Sequence, residues 1–280
     1  LDLVSYISPT NNTAFFDSFK EHIKKYTNNF KLGGYKIFLD GSPQGRTAWM
    51  RTPYLNDNNY YGYGTMSNDD VEKAIKSSLN SNIQLLAHCN GDKACEQFID
   101  CIKKYANKIK NLRPVMIHAQ LLGIDQIDNI KKFNIIPSFF VSHVYYWGDT
   151  HINNFGFERA SKISPANTAL QKDVLFTFHQ DSPVIKPNMF ETIWCAVSRK
   201  TKSGVILGLN ETVDVKSAIK AVTINSAFQY FEEDIKGSIK KGKLANLIIV
   251  DKNPLSIKFE DIKNIKVLET IKEGKTLYKS

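Results

Sequence analysis

The sequence predicts an α/β protein built as a (β/α) barrel, followed by a small β element. Three observations carry this reading. An apolar, β-branched run that ends in a polar residue, then a loop, then a helical pattern recurs along the chain. The runs are nearly continuous in apolar residues, as in parallel strands covered on both faces. No glycine-rich phosphate fingerprint follows the first strand, which argues against a dinucleotide-binding sheet.

Taken in order, "LVSYIS" is a first strand, with "TAFFDSFKEHIKKYTNN" as its helix. "YKIFLDGS" is the next strand. "SNIQLLAHCNGD" follows, and "DKACEQFIDCIKKYANKIK" behind it has the spacing of an amphipathic helix, with Asp92 placed to act as its N-cap. "RPVMIHAQ" precedes the helical "GIDQIDNIKKF", and "NIIPSFFVSHVYYWGD" and "DVLFTFHQDSPV" are the last two barrel strands. After about Asp234 the style changes. "GSIKKGKLANLIIVDKNPL" and "IKVLETIKEGKTLYKS" read as short strands with Gly-Lys turns and no long helix between them.

Composition excludes several classes of function. A chain of 280 residues, 42% hydrophobic, can bury a sizeable core. No apolar run approaches the length of a membrane span, so no membrane partner is expected. The net charge of +9 is almost all lysine, with arginine only at Arg46, Arg51, Arg113, Arg159 and Arg199. The basic residues are scattered over helical faces, so a nucleic acid partner is not expected either. Cys89, Cys95, Cys101 and Cys195 form no C-x-x-C pair, which fits a reduced, cytoplasmic protein. Cys89 follows His88 on a strand and points to the opposite face, into packing.

The strand ends carry the chemistry. Lys36, His88, His118, His143 and Asp181 all fall at or near the C-terminal ends of strands, where barrel enzymes place functional residues. Neutral imidazoles and a carboxylate at one pole make a zinc-type site.

The stretches "GGYKIFLDGSPQGRTAWMRTPY", "AHCNGDKACEQFID", "IHAQLL", "SHVYYWGDTH", "HQDSPV", "CAVSRKTKSG" and "GSIKKGKLANLIIVDKNPL" resemble, in that order, the amidohydrolase superfamily, in its amidohydrolase-3 or YtcJ-like branch. The resemblance implies a (β/α)8 TIM-like barrel, incomplete at its N-terminal strands, with a small C-terminal β-sandwich segment. Residues 1–233 would hold about strands 3 to 8, and 234–280 the β-sandwich segment. It also implies a metal-dependent hydrolase of amide or cyclic amide C–N bonds that acts on a small molecule. The cofactor would be a divalent metal, zinc, with one or two ions in the full-length enzyme.

Residue by residue, the resemblance makes His88 and His118 metal ligands. Lys36 would bridge metal once carbamylated, since a protonated amine repels a cation; the other reading is an ion pair with Asp40. Asp181 would take a proton from the activated water and deliver it to the leaving nitrogen. His143, Tyr145 and Trp147 fall on one face of a strand, where they line a pocket or form a structural aromatic cluster. Arg46 and Asp40 are candidates for substrate contact, although Asp40-Gly41 is also an ordinary turn. His179 is a candidate partner orienting Asp181. His22 and His151 are read as surface or loop residues.

The chain departs from the family pattern at Ile117, where a Glu often stands, and at Asn246, in place of an Asp. It also contains no H-x-H pair. With its missing initiator Met, this suggests the C-terminal portion of a longer enzyme, one that alone holds metal poorly, has little activity, and self-associates, as a homodimer, through open strand edges. The competing reading is a catalytically dead amidohydrolase relative that serves as a binding or structural protein.

Overall fold

The computed structural model describes residues 2–9 and 18–280. The chain divides into two compact units, Leu1–Ser138 with Lys172–Val174, and Phe139–Gln171 with Leu175–Ser280.

In the first unit, β1 (Leu3–Ile7), β2 (Phe30–Phe38), β3 (Gln84–Cys89) and β4 (Val115–His118) lie side by side in chain order, all parallel. β5 (Ile136–Phe139) is next in the order; its last residue belongs to the second unit. There, His179 N donates to Phe139 O at 3.1 Å, and β6 (Thr177–Phe178) completes a six-strand sheet in chain order. Parallel neighbours in chain order are what repeated strand–helix crossovers produce. The expected alternation is therefore present.

Helix α1 (Asn68–Ser81) starts where the Ser67 hydroxyl accepts from Asp70 N, and it ends at Asn82, which takes up the left-handed conformation at φ 51°. Val71, Ala74, Ile75 and Ser78 recur at helical spacing and are buried. Helix α2 (Asp92–Lys103) buries Cys95, Phe98, Ile99 and Ile102 on one face. Burying each of the larger three, Phe98, Ile99 and Ile102, contributes about 1.5–3 kcal/mol. Its N-cap is Gly91 rather than Asp92. The Asp92 carboxylate is instead taken by the Arg51 amide, at 2.8 Å. The segment "GIDQIDNIKKF" forms a 3-10 turn over Ile124–Gln126 and helix α3 (Ile127–Lys132), as expected.

Elsewhere the expectations fall short. Of the helix anticipated over 13–29, residues 13–17 lie outside the described residues. Of the described rest, Ser18 is helical and a 3-10 turn follows at Lys20–His22. The stretch "SHVYYWGD" is not strand. β5 stops at Phe139, and α4 (His143–Phe155) begins after a turn in which His143 N donates to Phe140 O at 3.0 Å.

In the second unit, α5 (Met189–Ser198) is capped by Asn188, whose side-chain oxygen accepts from Phe190 N and Glu191 N, and α6 (Val215–Val222) is capped by Asp214. Arg199, 0% exposed, ties this unit together. Its guanidinium donates to the carbonyls of Leu207, Ser164, Ser161 and Ile163. β7 (Leu247–Val250), β8 (Val267–Lys272) and β9 (Lys275–Lys279) form one antiparallel sheet in that order. The β-sandwich segment expected there is thus a single three-stranded sheet among the described residues. No helix of the described residues is long and apolar enough to cross a membrane.

Candidate metal centre

The first unit gathers its polar groups at the C-terminal ends of β2, β3 and β4. Register sets Phe38 beside His88, and Cys89 beside His118. Two residues before Phe38, on the same face of β2, stands Lys36. Its Nζ lies 5.0 Å from the centroid of the Phe38 ring, and that ring lies 5.5 Å from the ring of His88. At the end of β4, His118 and Ala119 both adopt positive φ, 71° and 45°. Left-handed backbone costs a non-glycine residue about 1–2 kcal/mol and concentrates at functional sites.

The two imidazoles meet edge to face with centroids 4.5 Å apart, and His118 Nε2 is 3.1 Å from His88 Nδ1. The other nitrogen of His88, Nε2, faces Gly41 O at 3.0 Å, Asn90 Nδ2 at 3.0 Å and Asp40 Oδ1 at 3.6 Å. The Asp40 side chain is fully enclosed. Its Oδ1 accepts from Asn90 N at 2.9 Å, and its Oδ2 accepts from Gly91 N at 2.7 Å and Trp49 N at 3.0 Å. Burial pushes the Asp40 carboxyl up to about 7, and the nearby Asp92 adds to the rise, against the three amide bonds that pull it down.

Among the described residues, no group of three or more His, Cys, Asp or Glu converges as a ready metal cage. The His88–His118 pair nevertheless fits a divalent ion. Two nitrogens on one tetrahedral zinc, each at 2.0–2.1 Å, stand about 3.3–3.4 Å apart. The observed 3.1 Å is close to that bite. A carbamylated Lys36, on the same face, would supply oxygen donors.

The sequence profile of the amidohydrolase family matches residues 3–278. The chain belongs to that family. It is 25% identical over 265 residues to the Bacillus subtilis protein designated amidohydrolase YtcJ, covering 92% of this chain and 49% of that one. It is also 25% identical over 222 residues to the N-substituted formamide deformylase of Arthrobacter pascens, covering 79% of this chain and 40% of that one. Among solved structures, an uncharacterized metal-dependent hydrolase from Pyrococcus horikoshii shares the fold, with a TM-score of 0.79 at 24% identity, over 93% of this chain and 52% of that one. The chain thus spans about half the length of these relatives.

The remaining residues singled out in the sequence are distributed as follows. Asp181, three residues beyond β6 in the second unit, is exposed and sits at φ 53°, with its carbonyl accepting from Val184 N at 2.9 Å. Arg46, in the first unit, lies over the rings of Tyr54 and Tyr60 and pairs with Asp57 at 3.1 Å. His143 and Trp147 share a face because helical spacing, not strand alternation, brings i and i+4 together; Tyr145 points away, onto Trp194.

His151 continues that face. His143 Nδ1 is 3.1 Å from His151 Nε2, and the two rings stack 4° from parallel. His151 is fully buried rather than a surface residue. Burial drives the His143 imidazole well below its usual range, helped by His151 and His179, and lowers His151 to about 4. Phe140 joins this group, with its ring 4.6 Å from His143 and 5.4 Å from His179.

Asn90 was not among the residues the sequence pointed to. Its only signal was an amide two residues past a strand-end histidine, in the alternation that brings it back to the same side.

Proposed function

We propose that the protein is a metal-dependent hydrolase of carbon–nitrogen bonds in amides, cyclic amides or N-acyl compounds, with zinc as the ion. The observation that carries this is the His88 Nδ1–His118 Nε2 pair at 3.1 Å, at the ends of adjacent parallel strands in an amidohydrolase. A divalent ion supplies a Lewis acid that polarises a carbonyl and lowers the pKa of water toward neutrality.

In this reading His88 and His118 hold the ion through those two nitrogens, and Lys36, as its carbamate, completes the donor set. Asp181 is the general base and then the acid toward the leaving nitrogen. Its support is its place just after β6, matching that of the histidines at the ends of β3 and β4. Arg46, His143 and Trp147 are the substrate-contacting candidates. The formamide deformylase relative supports an N-acyl substrate.

The isolated chain is expected to hold metal poorly and turn over little, so zinc-supplemented whole protein, assayed against a panel of N-formyl amines, N-acetyl amines and cyclic amides, tests the reading. Turnover that disappears with a chelator and returns with zinc is expected. Chelator-insensitive turnover, or none across the panel, contradicts it.

A further inference from the structure

The Asp40 side chain is fully enclosed by protein. Its three amide bonds reach two separate segments, the loop at Trp49 and the turn at Asn90–Gly91. The two segments touch closely: a β-carbon on Gly91 would lie 2.0 Å from the Trp49 carbonyl oxygen. The next residue, Gly41, is fixed as well. Its amide donates to Thr47 O at 3.1 Å, and its carbonyl accepts from Asn90 Nδ2 at 2.8 Å. That same carbonyl faces His88 Nε2.

We propose that Asp40, acting with the Gly41 carbonyl, is the positioning residue for His88 and holds its ring as the Nε2–H tautomer, with the Nδ1 lone pair turned toward His118. Its use in catalysis rests on the hydrolase reading; its geometry does not. Around Nε2 stand two acceptors, Gly41 O at 3.0 Å and Asp40 Oδ1 at 3.6 Å. Asn90 Nδ2 also stands there, but with one N–H on Gly41 O its other N–H, about 120° away, misses Nε2, because Gly41 O, Nδ2 and Nε2 form a nearly equilateral triangle. A lone pair on Nε2 would confront a carbonyl and a carboxylate that cannot swing away, because three backbone amides hold the carboxylate. A proton on Nε2 satisfies both. Nδ1 is then an acceptor, the form in which imidazole ligates a metal.

The test is a long-range ¹H–¹⁵N correlation of the histidine rings in ¹⁵N-labelled protein after chelator treatment, with His88 assigned through His88→Gln. A protonated Nε2 and a bare Nδ1 are expected; a protonated Nδ1 overturns the proposal. In Asp40→Asn, His88 should lose its single-tautomer signature, and zinc affinity, read by competition with a chromophoric chelator, should fall about 10–100-fold. An unchanged tautomer with unchanged zinc affinity overturns it.

Asn90→Ala keeps every backbone bond to Asp40 and covers the case in which Asp40→Asn fails to fold. The Nε2–H form is expected to persist there; its loss would transfer the role to Asn90 and overturn the proposal. An Nε2–H ring in a protein that hydrolyses nothing supports this inference and counts against the hydrolase reading. An Nδ1–H ring in an active zinc enzyme does the reverse.

Discussion

His118 Nε2 lies 3.1 Å from His88 Nδ1, although His118 is in register with Cys89. The positive φ of His118 ends the regular pleat at that residue. The two rings therefore meet at the C-terminal ends of two interior strands, on a side that strict alternation would have kept them from sharing. The joint between β3 and its loop is what keeps this arrangement in place.

That joint is sensitive to one methyl group. Gly91 has an ordinary φ of −79°, so its requirement is space and not backbone freedom. Gly91→Ala pushes a β-carbon into the Trp49 carbonyl and should cost about 1–3 kcal/mol. Denaturant unfolding measures it, and zinc affinity should fall in parallel because the Asp40 amide partners shift.

The buried pair His143 and His151 makes stability depend on pH. In the folded protein His151 stays neutral down to about 4, whereas in the unfolded chain it takes up a proton near 6.5. The unfolded state therefore binds more protons between those values. The stabilising contribution is complete above about pH 6.5 and is lost as pH falls toward 4, up to about 3 kcal/mol for this group. His143, shifted in the same direction, adds to it. Denaturant unfolding at pH 7 and pH 5 should show the decline, and His151→Phe should flatten it.

Arg199 holds four carbonyls together with one planar group. Arg199→Met leaves those buried acceptors unpaired and should destabilise the protein by at least about 3 kcal/mol. Arg199→Lys should recover only part of this, because an ammonium cannot reproduce the planar fork. Thermal unfolding of both variants provides the check.

Asp181→Asn retains size and polarity and removes the proposed base. Hydrolysis should drop about 10²–10⁴-fold while the affinity for zinc stays within a few-fold of the parent. Undiminished turnover would take the proton-transfer role away from Asp181.

The strands and the two strand-end histidines that meet were legible in the sequence because buried parallel strands leave nearly continuous apolar runs with a polar residue at the end. The "SHVYYWGD" segment was misread for a definite reason. Strand alternation groups His143, Tyr145 and Trp147, whereas helical spacing groups His143, Trp147 and His151, and both periods include His143 and Trp147. His151 fits both periods, so only Tyr145, which helical spacing turns away onto Trp194, separates them, and one residue carried little weight. Asp92 looked like a cap because its type and place are right, but a tertiary partner, the Arg51 amide, claims its carboxylate. The role of Asp40 could not be read locally at all, since its amide partners lie 9, 50 and 51 residues away.

The most direct measurement of the central claim is zinc affinity, by competition with a chromophoric chelator, for the parent protein and for His88→Gln and His118→Gln. Loss of either ring should weaken zinc binding at least about tenfold, and the double variant should bind no more tightly than the weaker single one, as ligands of one ion do. Equal zinc affinity in the parent and both variants would contradict the account.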